Sequence, residues 1–127
     1  MKTSYFAKYS KLPQELKDTL YPIPISTIIP KWFTEHKENH KFVSPHKMLY
    51  RYKNGNITWE EFCEEYLEYL VKLEEFCGNL YEYYINIEKE TEKEIVLLCY
   101  ETSDKPCHRH ILANYLNEKY NADIKEL

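Results

Sequence analysis

Glycine is almost missing from this 127-residue chain, which has only Gly55 and Gly78. A P-loop, or the G-x-G-x-x-G turn of dinucleotide-binding folds, needs several glycines in one turn, so both are excluded. Cysteine occurs four times, at 63, 77, 99 and 107, with no C-x-x-C pair. Cys63 and Cys77 fall several turns apart on one predicted helix, beyond disulfide reach. With no disulfide framework, the thiols fit a reducing compartment. Arginine is scarce too: Arg51 and Arg109 stand against fifteen lysines, which draws attention to each planar guanidinium fork. The longest uncharged run, residues 19–30, contains three prolines and is too short to span a bilayer. No apolar stretch follows Met1-Lys2-Thr3-Ser4-Tyr5, so no signal peptide is read. The expectation is a cytoplasmic protein with no membrane partner.

What is present describes one globular domain, residues 1–127, with 43% hydrophobic and 30% charged residues. The net charge of −4 conceals a split. Residues 31–53 hold six basic side chains and three histidines against two acids, whereas residues 54–94 hold twelve glutamates against three lysines. Two solvated surfaces account for this pattern most simply. As a partner, a phosphorylated small molecule is favoured over nucleic acid, because duplex DNA would meet the glutamate-rich helix.

The pattern along the chain predicts a β-first, mixed order. Residues 2–7 read as a strand, residues 12–20 as a short helix or turn, and residues 21–26 as a second strand. Pro22 and Pro24 leave one side of that second strand poorly paired. Residues 34–43 read as a polar loop, whose His36 and His40 have helical spacing but no third metal ligand nearby. Ser44-Pro45 opens a helix with Met48, Leu49 and Tyr52 on its inner face, ended by Gly55. Thr58-Trp59-Glu60-Glu61 is a capping box. It starts the longest helix, to about residue 77, with Trp59, Phe62, Cys63, Tyr66, Tyr69, Leu70, Leu73 and Cys77 at helical spacing. Core packing is the expected role of Cys63 and Cys77. Gly78 stops this helix and Asn79 caps the next, over residues 80–89, read as helix because a parallel crossover needs one. Residues 122–127 close the chain as an edge strand. This order fits a small three-layer Rossmann-like α/β fold with a mostly parallel sheet.

Residues 95–113 organise the rest. Ile95-Val96-Leu97-Leu98-Cys99-Tyr100-Glu101 reads as a strand buried on both faces. A polar turn follows, and a helix begins with Pro106 in its first position, capped by Ser103 or Asp104. Strand, tight loop and helix N-terminus form the geometry in which α/β proteins place ligands, and the helix end favours an anion. On a helical wheel Ile111, Leu112, Tyr115 and Leu116 face inward. His108 lies mid-face, Cys107 and Arg109 flank it, and His110 points away.

Leu97-Leu98-Cys99-Tyr100-Glu101 with Cys107-His108-Arg109 resembles the signature of the domain of unknown function 488 family. Lys11-Leu12-Pro13, Ile23-Pro24-Ile25, Pro30-Lys31-Trp32-Phe33, Ser44-Pro45 and Tyr52-Lys53-Asn54-Gly55 are similar in layout to its short variant, often met in phages and their hosts. Longer members often carry Asp-x-Arg after the second strand, where this chain reads Ile25-Ser26-Thr27-Ile28-Ile29. The resemblance implies a fold and a site, not a reaction. A phage setting would fit a modifying enzyme or a protein that sequesters a host nucleotide signal.

Each site residue has two readings. Cys107, at a helix N-terminus beside His108 and Arg109, is a nucleophile or redox thiol, or else a small buried residue. His108 is a general base or proton donor, or a buried ring tying the loop closed. Arg109 grips a phosphate or carboxylate, or pairs with Glu101 or Asp104. Glu101 is an acid–base partner or an acceptor for loop N–H groups, and Cys99 is core. Zinc on Cys99, Cys107, His108 and His110 is rejected because no pair has finger-like spacing and the two histidines diverge. No cofactor is implied. The leading expectation is binding of a phosphorylated, nucleotide-like molecule at the helix near Pro106. Arg109 would pair its anion, with Tyr100, Tyr5, Ser4, Trp32 and Lys31 lining the pocket. Cysteine-dependent chemistry on a nucleotide or nucleic acid, through Cys107, His108 and Glu101, is the alternative. A third is a protein-interaction module built on the tyrosine-rich acidic helix.

Overall fold

In the computed structural model, which describes residues 1–26, 28–35, 43–102 and 104–127, alternation along one strand explains the layering. Ile95, Leu97 and Cys99 of β3 (Glu94–Cys99) join one apolar cluster, while Val96 and Leu98 join a second. Successive strand side chains point to opposite faces, so β3 is covered by helices on both sides. It is an interior strand of a four-stranded sheet in the order β2-β3-β1-β4, whose pairings are all parallel. β1 is Lys2–Tyr5, β2 is Leu20–Pro24 and β4 is Lys125–Glu126. This is a Rossmann-like α/β arrangement, as the element order predicts.

The proline-bearing strand finds its place at the edge. β2 pairs only with β3, so Pro22 and Pro24 can leave an outer edge without N–H donors. β1 passes directly into α1 (Phe6–Ser10), and α2 (Gln14–Lys17) leads to β2. Phe6 and Tyr9 of α1 pack with Leu20, Phe33, Val96 and Leu98 in the smaller cluster.

The opposite face carries the larger cluster, under α3 (His46–Lys53), α4 (Trp59–Cys77), α5 (Leu80–Thr91) and α6 (His108–Tyr120). Phe62, Tyr66 and Leu70 are the buried stripe of α4, and Leu80 and Tyr84 that of α5. The Thr58 capping box is formed: Thr58 Oγ1 accepts from Glu61 N at 3.1 Å and Thr58 N donates to Glu61 Oε1 at 3.0 Å. Gly78 ends α4 with φ of +85°, a conformation that a side chain resists. Asn79 caps α5 through Glu82 N. The α3 start differs by one residue from the expected Pro45, which is its N-cap. Cys77 also departs from expectation: it is exposed at the last residue of α4, while Cys63 is half-buried. The expected 34–43 loop, with His36 and His40, lies largely outside the described residues. No described helix is long and apolar enough to cross a membrane.

Candidate functional site

A cleft of about 360 Å³ opens beyond the carboxyl ends of β2 and β3, where open α/β sheets place ligands. Ser26 and Ile28 come from the chain leaving β2, and Cys99, Tyr100 and Glu101 from the end of β3. His46, Leu49, Tyr52 and Lys53 form a wall on α3, and Lys105, Pro106, Cys107 and His108 close the side where α6 begins. The walls are mainly apolar, with the cationic groups of Lys53 and Lys105 on the rim.

The local geometry corrects one expectation about that helix. Cys107 is its N-cap, with extended φ and ψ of −149° and 146°, and His108 is its first residue. Pro106 therefore stands outside the helix and not in its first position. Asp104 accepts from Thr102 Oγ1 and makes no cap contact, and Ser103 lies outside the described residues. β3 likewise ends at Cys99, leaving Tyr100 and Glu101 in the following turn. That brings the end of the strand and the start of the helix face to face.

Two cysteines and a histidine meet there, all buried. One donor atom from each of Cys99, Cys107 and His108 lies within 4.8 Å of the other two. His108 Nδ1 is 3.5 Å from Cys99 Sγ and 3.9 Å from Cys107 Sγ. Cys99 Sγ is also 3.4 Å from Nε2, so it lies over the ring, and Nε2 is 3.1 Å from the Ile25 carbonyl oxygen. A carbonyl accepts only, so Nε2 carries hydrogen and Nδ1 is the bare ring nitrogen. The Tyr66 ring sits edge-on to the imidazole at 5.7 Å, and its hydroxyl donates to the Val43 carbonyl at 2.7 Å, fixing that wall. A hydrogen bond from Cys99 pulls the Cys107 thiol below its ordinary pKa against the opposing effect of burial. His108 and the Arg109 backbone N–H pull the same way. Burial pushes the Cys99 thiol up. The pair thus divides into a thiolate-favouring sulfur at the helix cap and a thiol at the strand end.

Arg109 is placed otherwise than a ligand grip requires. It is 0% exposed, and its guanidinium lies behind the cleft wall. Nε and Nη2 donate to the two Glu126 carboxylate oxygens at 3.2 and 2.8 Å, and Nη1 donates to the Glu101 carbonyl at 2.6 Å. Its charge survives because Glu126 outweighs the desolvation that burial imposes, raising its pKa. The expected partners were an incoming anion, Glu101 or Asp104. The structure supplies Glu126 from the last strand and only the backbone of Glu101. Tyr5 lies against this guanidinium, with the cation 5.7 Å from the ring centre, and does not line the cleft.

Among the other expected ligand residues, Tyr100 lines the cleft, with its ring edge against Phe6. Glu101 lines it too and accepts from Lys53 Nζ at 3.1 Å. Ser4 pairs in register with Leu98 and so faces the smaller cluster, away from Cys99. Trp32 is 57% exposed, edge-on to Phe33, and neither it nor Lys31 lines the cleft. Sequence reasoning passed over Cys99, taken as core, and His46, Lys53 and Lys105. The one available signal was Tyr52-Lys53 within the resemblance. His110 stays out of the sulfur cluster, as the wheel requires.

Fold and site together define an α/β protein with a thiol- and imidazole-floored cleft at the carboxyl ends of parallel strands. The family model described as the active DUF488-N3 subclade matches residues 13–120, and the chain belongs to the DUF488 family. No curated protein and no solved structure matches the chain.

Proposed function

We propose that the cleft binds a phosphorylated, nucleotide-like small molecule. The observation that carries this reading is the pairing of an apolar, aromatic-walled cleft of about 360 Å³ with cations at its rim and a helix N-terminus at its base. The volume falls at the small end of ligand cavities, roughly 300–1,000 Å³. Ile28, Leu49, Tyr52 and Tyr100 offer flat, apolar surface for a base. Lys53, Lys105 and the α6 N–H groups offer charge and donors for a phosphate. Arg109, committed to Glu126, has no part in this version of the site. A cleft of this size also favours a small ligand over nucleic acid.

The test is thermal stabilisation by nucleoside monophosphates and diphosphates compared with the matching nucleosides. Phosphorylated ligands raise Tm with concentration by mass action, nucleosides do so weakly, and Lys53→Ala/Lys105→Ala reduces affinity roughly tenfold or more. Equal stabilisation by nucleosides, or unchanged affinity in the double variant, sinks the reading.

A second reading is favoured by the position of one atom. Cys107 Sγ lies on the cleft side of the helix cap, 3.9 Å from His108 Nδ1. There the Cys107 sulfur, its proton passed to His108 Nδ1, attacks an electrophilic carbon of the bound molecule; the S–C bond forms as the bond from that carbon to the leaving group breaks, and His108 returns the proton to the leaving group. Glu101, paired with Lys53, stands at the rim to orient the ligand. A covalent adduct on Cys107 by intact-mass spectrometry, absent in Cys107→Ser, separates turnover from binding alone. Quantitative recovery of every bound ligand without an adduct argues for binding.

A further inference from the structure

We infer that Cys99, Cys107 and His108 form a three-ligand site for a zinc-class divalent ion, with the fourth coordination position open to the cleft. A strand end supplies one sulfur and a helix cap supplies the other, so the site exists only in the folded chain. This is why residue spacing hides it.

The three donor atoms, all within 4.8 Å of one another, lie close enough to share one ion. A tetrahedral centre with metal–sulfur bonds of about 2.3 Å and metal–nitrogen bonds of about 2.0 Å sets sulfur–nitrogen separations of about 3.5 Å. Here His108 Nδ1 lies 3.5 Å from Cys99 Sγ and 3.9 Å from Cys107 Sγ; Cys99 Sγ is also 3.4 Å from Nε2, so binding requires its side chain to turn off the ring face toward an ion at Nδ1. The ligating nitrogen is also selected in advance. Nε2 is held by the Ile25 carbonyl at 3.1 Å, the outer hydrogen bond that commonly orients a metal-binding histidine. That leaves Nδ1 as the ring nitrogen available to an ion.

The chemistry of the donors agrees. Two thiolates and one neutral imidazole suit zinc and other borderline-soft ions better than magnesium or calcium, which prefer oxygen. On binding, whatever thiol proton remains leaves to solvent and the two S–metal bonds form. The resulting centre is formally neutral, which a buried site tolerates far better than a bare cation. Three protein ligands with one open position are the pattern of catalytic rather than structural zinc. The open position faces the cleft floor, where a water or a phosphate oxygen would complete the shell. Only this fourth ligand rests on the nucleotide-like reading; the three protein ligands do not.

The experiment uses the full chain, stripped with chelator and titrated with cobalt(II) in a phosphate-free buffer without nucleotide. The expected result is one equivalent of cobalt with thiolate-to-metal charge-transfer absorption and the intense visible bands of a four-coordinate ion, displaced by zinc. Cys99→Ser and Cys107→Ser abolish the charge-transfer band stoichiometry, while Cys63→Ser and Cys77→Ser leave it intact. A measurement that needs no variant runs alongside. Zinc shields two of the four thiols from an aromatic disulfide reagent, and peptide mapping places the protection on Cys99 and Cys107. Absence of these bands, or their survival without Cys99 and Cys107, overturns the site. So does zinc protection that falls on Cys63 and Cys77. Because no nucleotide is present, this outcome is independent of whether the cleft binds one.

Discussion

Replacing Arg109 with alanine should destabilise the protein severely, because this side chain fastens its last strand. β4 contains only Lys125 and Glu126. Its position depends on Glu126, which accepts from Arg109 Nε and Nη2 and from Thr3 Oγ1, the last at 2.6 Å. Arg109 Nη1 meanwhile holds the Glu101 carbonyl at 2.6 Å, so one guanidinium ties β4 to the turn after β3. Removing one partner of a buried ion pair costs about 3–5 kcal/mol, since the other charge is left uncompensated. The Glu126 side chain is 25% exposed, so water can reach it, and the lower end of that range applies. For a chain of this length, about 3 kcal/mol lowers Tm by roughly 10 °C. Thermal and urea unfolding read the loss, and amide exchange at Leu127, whose N–H donates to the Thr3 carbonyl at 2.7 Å, reads its location. Arg109→Lys should fall between, keeping the charge but losing the two-pronged geometry. Arg109→Ala/Glu126→Gln should recover part of the loss, because no buried carboxylate is then stranded. A Tm change under about 3 °C refutes the reasoning. If it came with loss of phosphorylated-ligand binding, Arg109 would belong to the ligand after all.

Other outcomes follow from the same contacts. Glu74 gathers Lys119, Tyr115, Tyr120 and the Leu80 N–H; burial works to raise its pKa, but these donors outweigh it and hold it at about 2, below the ordinary 4.5. A carboxyl depressed in the folded state stabilises above its unfolded pKa, so its contribution is present at pH 6 and is lost as pH falls from about 5 toward 2. With solvent screening this is about 2 kcal/mol. Urea unfolding should show Glu74→Gln less stable than the parent at pH 6 and nearly level with it at pH 2.5; a gap independent of pH contradicts the assignment. Thr58→Ala removes the side-chain half of the α4 capping box, leaving Glu61 N–H without its acceptor, costing about 1 kcal/mol, read as a lower urea midpoint with an unchanged slope. Tyr66→Phe leaves the buried Val43 carbonyl without its 2.7 Å donor, an expected loss of about 1–3 kcal/mol. An unchanged midpoint would mean that water replaces the hydroxyl.

Much of the architecture is readable because local chemistry agrees with the final fold. The run Ile95 to Cys99 has no polar face to spare, so an interior strand is the only comfortable place for it. The prolines at 22 and 24 assign the second strand to an edge before any partner is known. Thr58 with Glu61, Gly78 and Asn79 each mark a helix end through backbone hydrogen bonding that depends on near neighbours only. The stripe of Phe62, Tyr66 and Leu70 likewise needs only helical spacing to be recognised. The α6 wheel correctly turned His108 inward and kept His110 from the sulfurs.

What depends on distant partners was not readable. Arg109 was expected to meet an anion because its neighbours in sequence offered nothing better; its carboxylate lies seventeen residues on, in a strand too short to announce a pairing. Ser4 and Tyr5 share the end of one strand, yet register with Leu98 and Cys99 sends them to opposite faces. Cys99 looked like core until the turn after β3 folded back and set it beside His108. Local pattern sufficed for the elements, for some of their ends and for their buried faces, because those follow from backbone bonding and periodicity over a few residues. Only the tertiary structure decided which charges are already neutralised, which side chains share the cleft, and which three donor atoms converge at its floor. Those follow from strand order and register, which bring together atoms that no local pattern connects.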